Sequence, residues 1–205
     1  MLRIGITSRI TKASGYFEQR DSLAHDWGDF FKREFPNELW VSIPNLGKDA
    51  LNYFNSLSLN VLILSGGDSL GETLKRDETE YTLLDYAIKN SIPVVAICRG
   101  MQLVHTYFGG RVVKGDQKFV STHRAKEHDV IFEDGKILSL NSYHNNIIIE
   151  KTIHQSLSVI ARCKEDFSVE AFAREGLIAL MWHPEREMKD KNLSTKLIKN
   201  FLLKT

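Results

Sequence analysis

A chain of 205 residues with 42% hydrophobic side chains can bury a sizeable core, and residues 1–205 are read as one domain. Its formal net charge of +1 suggests neither a nucleic-acid nor a membrane-surface binder, and no apolar run reaches the length of a membrane span. The two cysteines, Cys98 and Cys163, lack paired spacing and indicate neither a disulfide framework nor a zinc site.

The opening residues 2–7 alternate as a first strand and lack the apolar core of a signal peptide, so a reducing, cytoplasmic setting is expected. Leu23, Trp27, Phe30 and Phe31 mark one face of a helix that must end near Pro36. Arg20 and Asp21 fall at the start of that helix, a position suiting either a solvated end or a loop on the functional face. Leu39–Ile43 reads as a strand closed by Pro44, and residues 50–57 as a short helix. Residues 60–64 form a continuous apolar run, the type buried on both faces in parallel sheets. It runs into Ser65-Gly66-Gly67-Asp68. Adjacent glycines there are usually only a tight turn, but they also let backbone N–H groups face a substrate.

Tyr81, Leu84 and Ile88 give the next helix its apolar face. Pro93 then opens the strand Val94-Val95-Ala96-Ile97, which ends at Cys98. Met101, Val104, His105 and Phe108 recur at helical spacing until Gly109-Gly110. Strands alternating with helices predict a doubly wound, mostly parallel α/β sheet flanked by helices, with sites beyond the carboxyl ends of its strands. Both Gly67 and Cys98 fall at such ends. Beyond Val112 the segments shorten. A hairpin is predicted from residues 129–132 and 136–140 about the turn Glu133-Asp134-Gly135. Asn141-Ser142-Tyr143-His144-Asn145 reads as a polar loop, and residues 157–163, 169–173 and 177–182 as a smaller antiparallel edge. Leu193, Leu197, Ile198, Phe201 and Leu202 share one face of a closing helix.

A free cysteine is most often a core residue. Cys98, however, stands at a strand-to-helix corner with Ala96 and Gly100 two residues away on either side. A strained nucleophile elbow requires such small neighbours. A helix N-terminus also favours thiolate. Downstream, His183-Pro184-Glu185 follows a strand, and alternate positions share a face, so the imidazole and the carboxylate can reach one cleft. A thiol attacking a carbonyl needs a base, and the base needs an orienting acceptor. Cys98, His183 and Glu185 supply all three. His144 competes as the base and is assigned instead to a substrate loop, with a surface histidine the alternative.

Cys98-Arg99-Gly100-Met101-Gln102 together with Trp182-His183-Pro184-Glu185 resembles the class I glutamine amidotransferase superfamily, and more narrowly its γ-glutamyl hydrolase branch. The resemblance extends through Ser65-Gly66-Gly67-Asp68, Arg76-Asp77 with Glu80, Phe108-Gly109-Gly110, Asn141-Ser142-Tyr143-His144 and Val169-Glu170-Ala171, covering most of residues 60–187. It implies a flavodoxin-like fold and attack of Cys98 on a γ-glutamyl carbonyl, with His183 as base then acid and Glu185 orienting it. The oxyanion hole would be the N–H groups of Gly67 and Arg99. Gln102, Ser142, Tyr143 and His144 would hold the glutamyl end. No cofactor or metal is implied, and the partner is a small-molecule γ-glutamyl substrate, with homo-oligomerisation left open.

Three departures bear on the leaving group: a short stretch between Gly67 and Arg76, Asn145 in place of a second histidine, and Phe167 in place of a glycine. The shortened stretch would open the cleft to a bulky amine or an amidate such as γ-glutamyl-CDP-amidate of capsule phosphoramidate synthesis. The alternative is a glutaminase subunit delivering ammonia to a synthase; Arg99 and the Asn-Ser-Tyr-His stretch favour hydrolysis. A non-catalytic binding protein is disfavoured by the complete set of three.

Overall fold

The computed structural model describes residues 1–204. Its centre is a nine-stranded sheet of two halves. One half is parallel: β4 (Leu39–Ile43), β1 (Arg3–Thr7), β5 (Val61–Leu64), β6 (Val94–Ile97) and β13 (Leu177–Leu180) lie side by side in that order. The other half continues antiparallel through β12 (Val169–Arg174), β11 (Ser158–Cys163), β8 (Arg124–Phe132) and β9 (Ile137–Tyr143). The last predicted edge strand is therefore the seam, since β13 pairs antiparallel with β12 and parallel with β6. The four residues of β5, β6 and β13 are all buried, because a central strand packs on both faces.

Helices flank this sheet. In α1 (His25–Glu34) the buried residues are Trp27, Phe30 and Phe31, and Phe31 stacks on Trp40 with ring centroids 4.7 Å apart. In α2 (Ala50–Ser56) they are Ala50 and Phe54. The next helix, α3 (Leu74–Lys89), differs from expectation. Leu84 is buried as its spacing predicts, yet the first half of the buried stripe is Arg76, Thr79 and Glu80. Apolar periodicity cannot register a stripe made of ions. The helix α4 (Arg99–Tyr107) starts directly at the end of β6, and α6 (Lys191–Lys204) buries Ile198 and Leu202, while Leu193 stays exposed.

Four stretches depart from the sequence reading. Arg20 and Asp21 precede α1 within β3 (Gln19–Ser22), which forms a hairpin with β2 (Arg9–Lys12). Asp21 accepts hydrogen bonds from the backbone N–H and the side-chain amide of Asn45, so it ties the hairpin to the sheet. Asn141, Ser142 and Tyr143 belong to β9 and pair with β8, because the ladder and buried side-chain partners satisfy their polar groups. Between β7 (Val112–Lys114) and β8 lies α5 (Gln117–His123), capped by the Asp116 carboxylate, which accepts from Phe119 N–H at 2.8 Å. Finally, β10 (Asn146–Ile148) pairs with β7 in a separate two-stranded ribbon.

Candidate active site

Three neighbouring parallel strands end at one edge of the sheet. The chain leaves β5 through Ser65-Gly66-Gly67, β6 through Cys98 and β13 through Met181-Trp182-His183. Cys98 sits on the middle strand, so the residues following its two neighbours flank it.

The turn at Cys98 is strained. Its φ of 50° and ψ of −100° lie where side-chain-bearing residues rarely go. Two anchors hold it: Cys98 N–H donates to Leu180 O at 2.7 Å, and Cys98 O accepts from Gln102 N–H at 3.1 Å. Gly100 allows the helix to start here, since a side chain at that position would collide with the Leu64 carbonyl. Gly66 has the same role towards the histidine: a Cβ there would stand 2.5 Å from His183 Cε1.

His183 is buried and doubly fixed. Its backbone N–H donates to Asn141 Oδ1 at 2.8 Å, and its carbonyl accepts from Asn141 Nδ2 at 2.9 Å. Its Nδ1 lies 2.7 Å from Glu185 Oε1. Burial disfavours its charge, but the charges of Glu185 and Cys98 outweigh that and raise its pKa to about 9. Burial likewise pushes the Cys98 thiol up, and the charge and hydrogen bond of His183 more than reverse the effect, leaving it below an ordinary thiol. Each group thus favours the charged form of the other. Asn141 escaped the sequence reading as a positioning residue, since nothing in a polar run shows which amide will grip another strand's backbone.

The neighbouring Gly67, with φ of +129°, is held by Arg76, which donates to Ser65 O at 3.0 Å and to Gly66 O at 2.9 Å. Arg76 in turn bonds Glu80 Oε1 at 2.9 Å, and the Arg99 guanidinium pairs with Glu80 and Asp77. Thr7 Oγ1 donates to the same Glu80 oxygen at 2.7 Å. Arg76, Glu80 and Arg99 are buried beneath the site, and Asp77 is half-buried at its margin. The Arg99 side chain therefore has a structural place, while its backbone N–H opens α4 beside Cys98. Gly66, Gly67, His183 and Glu185 line a small cleft of about 40 Å³ whose walls include Arg9, Ser22, Trp27 and Arg186.

The proposed glutamyl contacts separate. Tyr143 is at the cleft side: its ring meets His183 edge-on at 5.5 Å, and Arg186 lies 4.3 Å over its face. Gln102 is buried; its Oε1 accepts from Asn146 Nδ2 at 3.0 Å. Ser142 and His144 turn into a second buried group with His123, His128, Cys163 and Glu170. Cys163 is buried as expected of a core residue, yet its surroundings are polar. Burial pushes its thiol up, while hydrogen bonds from His123 and His128 prevail and bring it down to about 7. Side chains able to hold a metal among the described residues are found in this group.

A cysteine elbow on the middle of three parallel strands, with the flanking histidine and carboxylate one strand away, places the molecule among proteins of class I glutamine amidotransferase fold. A candidate GMP synthase subunit from Thermoplasma acidophilum superposes with a TM-score of 0.71 over 98% of this chain and 92% of its own, at 20% identity. The chain belongs to the Peptidase C26 family, whose model matches residues 65–185, from the first glycine turn through the carboxylate of the His-Pro-Glu motif. It is 33% identical to the γ-glutamyl-CDP-amidate hydrolase of Campylobacter jejuni over 90% of both chains. It is 27% identical to the γ-glutamyl-γ-aminobutyrate hydrolase of Escherichia coli O157:H7, over 66% of this chain and 63% of that protein. No helix among the described residues is long and apolar enough to cross a membrane.

Proposed function

We propose that this member of a glutamine amidotransferase-like hydrolase family is a cysteine-dependent hydrolase of γ-glutamyl amides or amidates. The observation that carries the reading is the strained Cys98, drawn towards thiolate by a His183 that Glu185 holds at 2.7 Å. The Cys98 sulfur attacks the γ-carbonyl carbon, and the carbonyl π pair moves onto oxygen. The resulting oxyanion takes hydrogen bonds from the N–H groups of Gly67 and Arg99, each such donor contributing about 3 kcal/mol. Collapse breaks the C–N bond as His183 gives its proton to the departing nitrogen. Water, deprotonated by the now neutral His183, then attacks the thioester carbon. Glutamate leaves and the thiolate–imidazolium pair returns. Glu185 keeps the imidazole in position and supports its charge without taking the proton.

The leaving group is the finer part of the proposal. Arg9 and Arg186 line the cleft beside Gly67 and His183, and both are partly exposed. Arg9 is paired with Asp68 at 2.9 Å and Arg186 stands 3.8 Å from Glu185, so an anionic leaving group would share these guanidiniums with carboxylates already present. The similarity to the Campylobacter jejuni enzyme is what supports a nucleotidyl amidate such as γ-glutamyl-CDP-amidate. The proposed partner is accordingly a small molecule, in a cytoplasmic setting that keeps both thiols reduced.

The experiment compares glutamate release from glutamine and from γ-glutamyl conjugates of amines, amino acids and nucleotidyl amidates, using purified protein alone. A conjugate should exceed glutamine in kcat/KM, because contacts to the leaving half act in the transition state. If no conjugate does, and glutamine turns over only when a synthase partner is added, the chain is an ammonia donor and the hydrolase reading fails.

A further inference from the structure

Behind the nucleophile, three hydrogen-bond acceptors converge. His123 Nε2 is 2.8 Å from a carboxylate oxygen of Asp166, which can only accept, so Nε2 carries the ring proton. His144 Nδ1 is 2.9 Å from the carbonyl of Asn146, which also can only accept, so Nδ1 carries the proton there. In the neutral rings this leaves the lone pairs of His123 Nδ1 and His144 Nε2 facing one another at 3.1 Å. Glu170 Oε1 completes the triangle, 3.6 Å from the first nitrogen and 3.4 Å from the second. All three side chains are buried. The other Glu170 oxygen has no hydrogen-bond partner, and His128 Nε2, 3.7 Å from it, also lacks one. Ser168 Oγ is the single weak donor to Oε1, at 3.4 Å.

Three converging acceptors require a cation between them. One proton on one nitrogen serves the 3.1 Å approach and leaves Glu170 Oε1, at 3.4 and 3.6 Å from the two nitrogens, with contacts no better than weak hydrogen bonds. A cation equidistant from atoms at these separations stands about 2 Å from each, the bond length of zinc to imidazole nitrogen and carboxylate oxygen. The outer contacts fit as well: metal-bound imidazoles characteristically donate their second N–H to a carboxylate or a backbone carbonyl, as His123 and His144 do here. Ser142 Oγ, 3.5 Å from His123 Nδ1, is near enough to approach a fourth position.

We propose that His123 Nδ1, His144 Nε2 and Glu170 Oε1 form a site for one divalent transition-metal ion of zinc's preferences. The ligands come from the end of α5, the residue after β9 and strand β12, so the ion cross-links three elements that no covalent bond joins. The site is distinct from the Cys98–His183 pair and does not depend on which γ-glutamyl substrate is cleaved. Cys163 and His128 stand beside it, with Cys163 Sγ 3.8 Å from His128 Nδ1, and together with His123 also lie within reach of one ion. The carboxylate set is assigned because it uses His123 Nδ1, the ring nitrogen that Asp166 does not hold.

The test uses the whole chain, purified without a histidine tag and carrying Cys98→Ala so that the catalytic thiol cannot take the metal. After equilibration with zinc sulfate and desalting, metal is counted per chain and melting is followed with and without a chelator. About one zinc should remain, in this protein and equally with Cys163→Ser added. At a hundredfold excess of free zinc over its Kd, the melting temperature should rise by about 5–10 °C. His123→Gln and Glu170→Gln should each lose the ion and the rise. Should either fail to fold, Asp166→Asn, outside the ligand set and part exposed, should still weaken retention about 10- to 100-fold. Cobalt(II) in place of zinc should show tetrahedral visible bands without thiolate charge transfer. Zinc that is not retained and gives no rise overturns the proposal, because the cation is then a shared proton. Retention that survives loss of His123 or Glu170, or vanishes with Cys163→Ser, overturns it also.

Discussion

The pairing of His183 with Glu185 supports a quantitative prediction for Glu185→Gln. The amide keeps the size and the hydrogen-bonding shape of the carboxylate and removes its charge. His183 stands at about 9 against a reference of 6.5, with Glu185 the largest influence raising it against burial. That elevation corresponds to about 3 kcal/mol of preference for imidazolium. A unit charge pair near 4 Å at an effective dielectric constant of 20 is worth about 4 kcal/mol, so one carboxylate suffices to account for it. Without the charge, the His183 pKa should fall by about two pH units. Less imidazolium means less thiolate on Cys98 and no proton ready for the leaving nitrogen. Wild-type kcat/KM should therefore hold up to about pH 9 and decline above it, whereas the variant should decline from about pH 7. At pH 7.5 the smaller imidazolium fraction alone should lower kcat about fourfold. The amide N–H, turned towards His183 Nδ1, adds the larger loss by fixing the wrong tautomer, about 100- to 10,000-fold in all, with substrate affinity, measured by direct binding on a Cys98→Ala background, nearly unchanged. The assay is single-turnover glutamate release across pH, beside the rate of Cys98 alkylation by iodoacetamide. A variant whose alkaline limb stays near pH 9, or whose loss lies wholly in affinity, would refute the reasoning and make Glu185 a substrate contact.

Gly66→Ala should cost most of the activity without unfolding the chain, because the new methyl group occupies the space of His183 Cε1; near-normal turnover with a native melting curve would contradict the packing described. Cys98→Ala and Cys98→Gly should both be inactive, but the glycine variant should melt about 2–4 °C higher, since only glycine relieves the positive φ; equal melting temperatures would show that the elbow stores no strain. Glu80→Gln should destabilise by about 3–5 kcal/mol, on the order of 10 °C in melting temperature, because it leaves the buried Arg76 and Arg99 without their shared counterion; a change below 1 kcal/mol would mean that solvent or Asp77 replaces it.

Much of the architecture was legible because the central strands are short apolar runs bounded by breakers, and such runs have one stable home, the middle of a parallel sheet. The corner at Cys98 was legible for a related reason: a thiol between small residues, ending a strand and opening a helix, is a local pattern. His183 and Glu185 stand two residues apart, so their partnership too is written locally. What stayed hidden depends on distance along the chain. Arg76 and Glu80 were legible only as part of the family resemblance, and only packing of α3 under Ser65 and Gly66 makes them the support of the site. Asn141 looks like loop polarity until β9 is laid beside the turn after β13. Ser142 and His144, read as holding the substrate, turn instead towards His123 and Glu170, which come from α5 and β12. Burial of a polar group is paid for by partners, and those partners come from any part of the chain. Composition and periodicity report which segments must be covered; only the tertiary structure decides which polar atoms meet beneath the cover.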